Sequence, residues 1–63
     1  SINRFLAGLT KEARVVFMRR YWYMSSVADI ARDLDMGESK VKVTLFRTRE
    51  KLRKHLEKEG FTI

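Results

Sequence analysis

The chain contains no cysteine and no proline, and only one histidine and three glycines among its 63 residues. Without cysteine it can form neither a disulfide bond nor a thiolate zinc site, so packing alone must hold the fold. The single histidine, His55, is predicted to lie at the surface and cannot build a metal site by itself. No apolar run approaches the ~18 residues of a membrane span, and no signal peptide opens the chain.

Catalytic signatures are missing as well. The sequence shows no activated nucleophile and no phosphate-binding glycine loop, and a chain this short leaves little room for a substrate pocket. The acids Asp29, Asp33 and Asp35 are read as capping, first-turn and loop residues rather than as a catalytic pair. We therefore expect no enzyme, no cofactor and no small-molecule substrate.

The basic residues are concentrated in one part of the chain. The formal net charge is +6, and hydrophobic residues make up 44% of the sequence, as in an ordinary globular protein. Residues 40–54 hold seven basic residues against one acidic residue, a net charge of +6, while the rest of the chain balances seven against seven. Such a segment suits nucleic acid, an acidic membrane surface or an acidic partner, and a merely solvated helix face is the alternative.

The apolar pattern is helical throughout. No strand-like alternation appears, and Thr10 and Ser26 are typical helix N-caps. The pattern predicts an all-α fold of one small domain, residues 1–63, with helices at about 2–8, 11–23, 27–34 and 38–58.

Two of the predicted helices carry informative stripes. In the fourth helix one core face gathers within ~60°, formed by Val41, Leu45, Thr48, Leu52 and Leu56. The second helix has a core stripe of Ala13, Val16, Phe17 and Tyr21. It also has a second apolar stripe of Val15, Met18 and Trp22. A helix apolar on two sides is either sandwiched or offers one side to a partner, so this second stripe either packs on the first helix or is a partner surface.

The third and fourth helices are separated only by Asp35, Met36 and Gly37, which is typical of a helix-turn-helix. In that motif the N-terminal half of the second helix enters the major groove of DNA. Candidates for base readout are the side chains opposite the core face: Ser39, Lys42, Val43, Phe46 and Arg47. Basic candidates for phosphate contact are Lys40, Arg49, Arg53 and Lys54, and Lys42 suits a phosphate too.

Each DNA-contact candidate has a plainer alternative. Arg47 can bind a guanine with two hydrogen bonds, but it can also touch a phosphate or only water. Val43 and Phe46 can contact thymine methyl groups or sugars, yet scattered apolar residues are common on protein surfaces.

Two stretches carry a family resemblance: Arg20-Tyr21-Trp22 at the end of the second helix, and Phe46-Arg47 followed by Arg49 and Leu52. With them, residues 9–56 resemble the C-terminal promoter-recognition domain, region four, of bacterial RNA polymerase sigma factors. The most similar class is the short, extracytoplasmic-function-like one. The resemblance implies a small four-helix, winged-helix-like DNA-binding fold without a wing, in a cytoplasmic protein.

The resemblance also implies partners and residue roles. Such a domain binds the upstream (−35) promoter element with its last helix, docks on the β flap of RNA polymerase and is often masked by an anti-sigma protein. By motif position, Lys42, Val43, Phe46 and Arg47 match the family's major-groove contacts. Backbone or groove contacts match Lys40, Thr44 and Arg49. The stripe of Val15, Met18 and Trp22 becomes a candidate polymerase or anti-sigma surface.

The family usually has Gly, Ser and Thr where this chain has Asp35, Gly37 and Lys40, and the pair Val43-Thr44 in the reading face also departs from it. The promoter sequence that this chain recognises therefore cannot be inferred from related proteins. The domain that melts the downstream promoter element is not in this sequence, so the chain is expected to be either a fragment of a longer sigma factor or a standalone binder. The output domain of LuxR-type regulators is the alternative family, and an interaction module built on the Trp22 stripe is the alternative function.

Overall fold

The fold consists of four helices. The computed structural model describes residues 2–60 and contains α1 (Ile2–Ala7), α2 (Lys11–Tyr21), α3 (Val27–Leu34) and α4 (Glu38–Lys58). No strand occurs in this range, and the predicted all-α class is confirmed. None of these helices combines the length and apolar composition needed to cross a membrane.

The helix ends lie close to the predicted ones, and side chains explain most of them. Thr10 caps α2 by accepting a hydrogen bond from the Ala13 N–H at 3.1 Å, and Ser26 caps α3 in the same way from the Asp29 N–H at 3.1 Å. α2 ends two residues earlier than predicted, because Met24 adopts a left-handed conformation with φ of 58°. α1 ends at Ala7, one residue earlier than predicted.

The core lies where α2, α3 and α4 meet. Its buried residues are Val16, Ile30, Ala31, Val41 and Leu45. α1 adds Phe5, whose ring meets Phe17 edge-on at a centroid distance of 6.2 Å. Thr48 is also buried on the core face of α4. Its hydroxyl donates a hydrogen bond to the Thr44 carbonyl at 2.7 Å, so this buried polar group has a partner.

Polar side chains join α2 to α3 and α4. Arg19 Nη2 lies 2.7 Å from Asp33 Oδ2 and joins α2 to α3. At the start of α2, Glu12 lies 3.6 Å from Lys40, and at its end the Tyr21 hydroxyl accepts a hydrogen bond from Arg49 at 2.9 Å. Polar contacts thus join both ends of α2 to α4.

Candidate nucleic-acid interface

The turn between α3 and α4 has the geometry of a tight helix C-terminus. Asp35 adopts a left-handed conformation, with φ of 55° and ψ of 48°, which Asp tolerates better than most residues. The Met36 N–H then donates to the Ala31 carbonyl at 2.8 Å and closes the end of α3. Gly37 begins α4 without a side-chain cap, as a glycine must. The predicted three-residue break therefore turns the chain sharply from α3 into α4.

Core packing decides which face of α4 is left exposed. Val41 and Leu45 are buried against Ile30 and Ala31 of α3. The five residues predicted to read bases are all exposed on the opposite side of the N-terminal half of α4: Ser39, Lys42, Val43, Phe46 and Arg47. Val43 is 46% and Phe46 58% exposed, although both are apolar. The structure thus brings these five side chains together on one surface, the reading face.

The residues predicted to contact phosphates have different surroundings. Lys40 is exposed beside Glu12, and Arg49 is exposed with its guanidinium held by the Tyr21 hydroxyl. Lys54 is exposed, and no carboxylate among residues 2–60 lies within 4 Å of it. Thr44 is half-buried at the edge of the reading face. Lys40, Arg49 and Lys54 are therefore exposed, and the predicted phosphate contacts of these residues and of Thr44 stay predictions.

Arg53 differs from this set because two carboxylates of its own helix bind it. Its guanidinium lies 2.8 Å from Glu50 and 2.9 Å from Glu57. The hydrogen bonds that Arg53 donates to Glu50 raise the pKa of Arg53 and lower the pKa of Glu50. These two ion pairs compete with a phosphate for Arg53; its predicted phosphate contact stays a prediction and is not used in the proposal below. Its spacing to Glu50 and Glu57, three and four residues along a helix, was the signal in the sequence.

The second apolar stripe of α2 borders two separate grooves. Met18 and Trp22 line a groove of about 230 Å³ together with Ile2 and Leu6 of α1. Trp22 remains 72% exposed at its edge, so it does not pack into the fold. Val15 lies in a different groove, beside Leu34 and Met36. Val15 therefore lines a different groove from Met18 and Trp22, and the partner surface of these three residues stays a prediction.

A further groove was missed from the sequence. It lies between α1 and the C-terminal half of α4 and is lined by Phe5, Leu9 and several basic side chains. His55, predicted to be a surface residue, is half-buried here, with its ring 5.5 Å from that of Phe5. The i, i+3, i+7 spacing of Lys51, Lys54 and Lys58 was the available signal, but only the position of α1 makes it a groove.

A comparison with protein families agrees with this arrangement. The family model described as Sigma-70, region 4 matches residues 1–52, which include α1, α2, α3 and the reading face of α4. The chain belongs to the sigma-70 region 4 family. No significant match to a curated protein or to a solved structure accompanies this one.

Membership confirms the sigma-factor, DNA-binding and transcription-initiation parts of the prediction. Region 4 is a DNA-binding regulatory domain for the −35 promoter element and works with the RNA polymerase core; it is not a known enzyme family. The match does not favour the LuxR-type alternative. Assignment to the extracytoplasmic-function-like class stays a prediction.

Proposed function

We propose that this region 4 domain recognises a specific −35 element by placing the reading face of α4 in the major groove. The observation that carries the proposal is the exposure of Ser39, Lys42, Val43, Phe46 and Arg47 on one side of a helix whose other side is fixed in the core. The groove is ~12 Å wide and admits one α-helix. A rigid helix of this kind presents its side chains to base edges in a defined order.

The side chains of the reading face differ in the part of DNA that each can contact. Arg47 carries two parallel donors that match the O6 and N7 acceptors of guanine. Val43 and Phe46 have nothing to donate and suit thymine methyl groups or sugars. Lys42 and Ser39 have single donor groups that suit a phosphate or a base edge.

Residues at the edges of the reading face contribute affinity for DNA that does not depend on its base sequence. Lys40, Thr44, Arg49 and Lys54 are the candidates for phosphate contact, and three of them are cationic. Each neutralised phosphate changes the slope of log K against log salt concentration by about −0.9. With Lys42 included, we expect a slope of roughly −3 to −4.

Arg47→Ala tests the proposal, and Arg53→Ala is its matched control on the same helix. Binding is measured by fluorescence anisotropy on a duplex selected from a random library and on the scrambled duplex. Arg47→Ala should weaken binding to the selected duplex by about 1–3 kcal/mol and relax the preference at one base position. Arg53→Ala should change DNA affinity little, because its guanidinium is already bound by Glu50 and Glu57.

Equal losses of Arg47→Ala on the selected and the scrambled duplex would make Arg47 a phosphate ligand and remove it from base readout. Failure of the selection to yield any preferred sequence would contradict the proposal as a whole.

We further propose that Met18 and Trp22 contact the polymerase β flap, a partner that the resemblance to sigma-factor region four implies. Their groove with α1 is lined mainly by apolar side chains and has an exposed Trp at its edge. Trp is among the residues that contribute most when interfaces form. An anti-sigma protein is the other candidate occupant of the same groove.

Trp22→Ala should weaken binding to an isolated β-flap domain by about tenfold or more, measured by calorimetry. Tyr23→Ala is the matched control, since Tyr23 is 69% exposed next to Trp22 but does not line the groove. Equal effects of the two substitutions would show that the loop as a whole, and not the groove, carries the contact.

A further inference from the structure

Val43 and Phe46 are the apolar residues at the centre of the reading face. Val43 is 46% and Phe46 58% exposed, and within α3 and α4 no other large hydrophobic side chain is exposed. The opposite side of their helix is fixed, since Val41 and Leu45 are buried in the core. The fold therefore leaves two neighbouring apolar side chains uncovered at one place on α4.

These two side chains point more directly away from the core than the cations beside them do. At about 100° per residue, Val43 and Phe46 lie about 20° and 40° from the direction opposite Val41. Lys42 and Arg47 lie about 80° and 60° from that direction, on opposite flanks. When a helix lies in the major groove, its central direction meets the base edges, whereas its flanks lie nearer the sugar-phosphate walls. The position of Val43 and Phe46 thus favours contact with bases over contact with sugars.

The chemistry of the two side chains selects one group on the base edge. Neither side chain donates or accepts a hydrogen bond, so neither distinguishes the O4 acceptor of thymine from the N4 donor of cytosine. The group that complements an apolar side chain in the major groove is the C5-methyl group of thymine. Val43 and Phe46 are three residues apart, about 4.5 Å along the helix axis. Successive base pairs are about 3.4 Å apart, so the two side chains match neighbouring base pairs.

We propose that Val43 and Phe46 recognise the C5-methyl groups of pyrimidines at two neighbouring base pairs of the −35 element. The proposal rests on entry of the reading face into the major groove, as proposed above, and names the groups that are read there. Because 5-methylcytosine carries the same methyl group as thymine, it retains this contact, whereas cytosine and uracil lack it. Binding at these positions therefore depends on the methylation of the DNA as well as on its sequence.

The test compares four base pairs at each thymine position of the selected duplex: T·A, U·A, 5-methylcytosine·G and C·G. At the two positions, loss of the methyl group should weaken binding by about fourfold, both from T to U and from 5-methylcytosine to C. Neither comparison alters the hydrogen-bonding groups of the base pair, so agreement of the two ratios isolates the methyl group. Fluorescence anisotropy measures all four affinities.

Three variants assign the methyl contact to its side chains. Phe46→Ala should bring both ratios close to one at one position, and Val43→Ser should do so at the neighbouring position. Lys42→Gln is the matched control: it should weaken binding but leave both ratios unchanged, because an ammonium group pairs with a phosphate or a polar base edge and not with a methyl group. Circular dichroism of each variant checks that the helices are retained.

A selected duplex without neighbouring A·T pairs, or ratios near one at every thymine, would overturn the proposal. Unchanged ratios in both Phe46→Ala and Val43→Ser would overturn it as well, since another side chain would then read the methyl groups. A sequence preference that persists without any dependence on methyl groups contradicts this inference alone. The absence of any preferred sequence would instead contradict the promoter proposal on which it rests.

Discussion

At the scale of single residues, Tyr21 links the core to α4. Its ring lies 4.9 Å from that of Phe17, and its hydroxyl accepts a hydrogen bond from Arg49 at 2.9 Å. The ring therefore serves packing, while the hydroxyl orients a guanidinium at the edge of the reading face. A substitution that removes only the hydroxyl separates the two roles.

Tyr21→Phe should lower DNA affinity by about twofold to fivefold, because the loss of one exposed hydrogen bond lets Arg49 move among more conformations. The loss should be the same on every duplex, since a phosphate contact carries no sequence information. Anisotropy on selected and scrambled duplexes measures it. Tyr23→Phe, which removes the hydroxyl of an exposed neighbour, is the control and should change nothing. A changed base preference in Tyr21→Phe would instead mean that Arg49 reads a base.

At the scale of helices, the ends are set by single side chains next to the chain reversals. The Ser26 hydroxyl satisfies the N–H of Asp29, one of the four donors that the start of a helix leaves unpaired. The start of α3 is important beyond that helix, because Ile30 and Ala31 supply the surface on which Val41 and Leu45 of α4 pack. A weaker α3 would loosen the support of the reading face.

Ser26→Ala should lower the free energy of unfolding by about 1 kcal/mol. In a domain of this size that corresponds to a fall in Tm of about 4–8 °C. Thermal unfolding followed by circular dichroism measures the change. Ser39→Ala is the matched control, since Ser39 lies in the first turn of α4 and makes no capping hydrogen bond there. A comparable loss in Ser39→Ala would argue against capping as the cause.

At the scale of the whole molecule, the charged side chains fall into two groups: those that form ion pairs with one another, and cations with no carboxylate close by. Asp33 pairs with Arg19 and Arg32, Glu12 with Lys40, and Arg53 with Glu50 and Glu57. No carboxylate among residues 2–60 lies within 4 Å of Lys42 or Arg47, the cations of the reading face. The ion pairs link neighbouring side chains of the scaffold, and Lys42 and Arg47 are left available to an anionic partner such as DNA.

The Arg19–Asp33 pair should make folding sensitive to acid. The hydrogen bond from Arg19, followed by that from Arg32, lowers the pKa of Asp33 below its ordinary value of 3.8. A carboxyl group whose pKa is lower in the folded state stabilises the fold above its unfolded pKa. That contribution is lost as the pH falls through the folded value. Asp33→Asn should therefore be less stable than the parent near neutral pH, and the difference should shrink below about pH 4.

Denaturant unfolding at a series of pH values measures this difference. Arg19→Gln removes the main cause of the lowered pKa of Asp33. It should therefore reduce the change in the free energy of unfolding over the same pH range. A difference between parent and Asp33→Asn that stays constant with pH would show that the pair does not act through ionisation.

The sequence by itself determined the helices and the reading face. Helix periodicity is a local property, so the spacing of Val41, Leu45 and Thr48 fixed the core side of α4 and left Val43 and Phe46 opposite. Thr10, Ser26 and the Asp35 turn are equally local signals, which is why the predicted boundaries agree to within two residues.

Tertiary structure decided how the surfaces of different helices combine. Val15 and Met18 are neighbours on α2 but line different grooves, because α1 covers one and α3 borders the other. Likewise, Lys51 and Lys58 are only a charged edge of α4 until α1 places Phe5 and Leu9 beside them. Periodicity gives the direction of a side chain from its own helix axis, but it carries no information on which helix lies across it. That depends on how the helices cross, which only the packed core fixes.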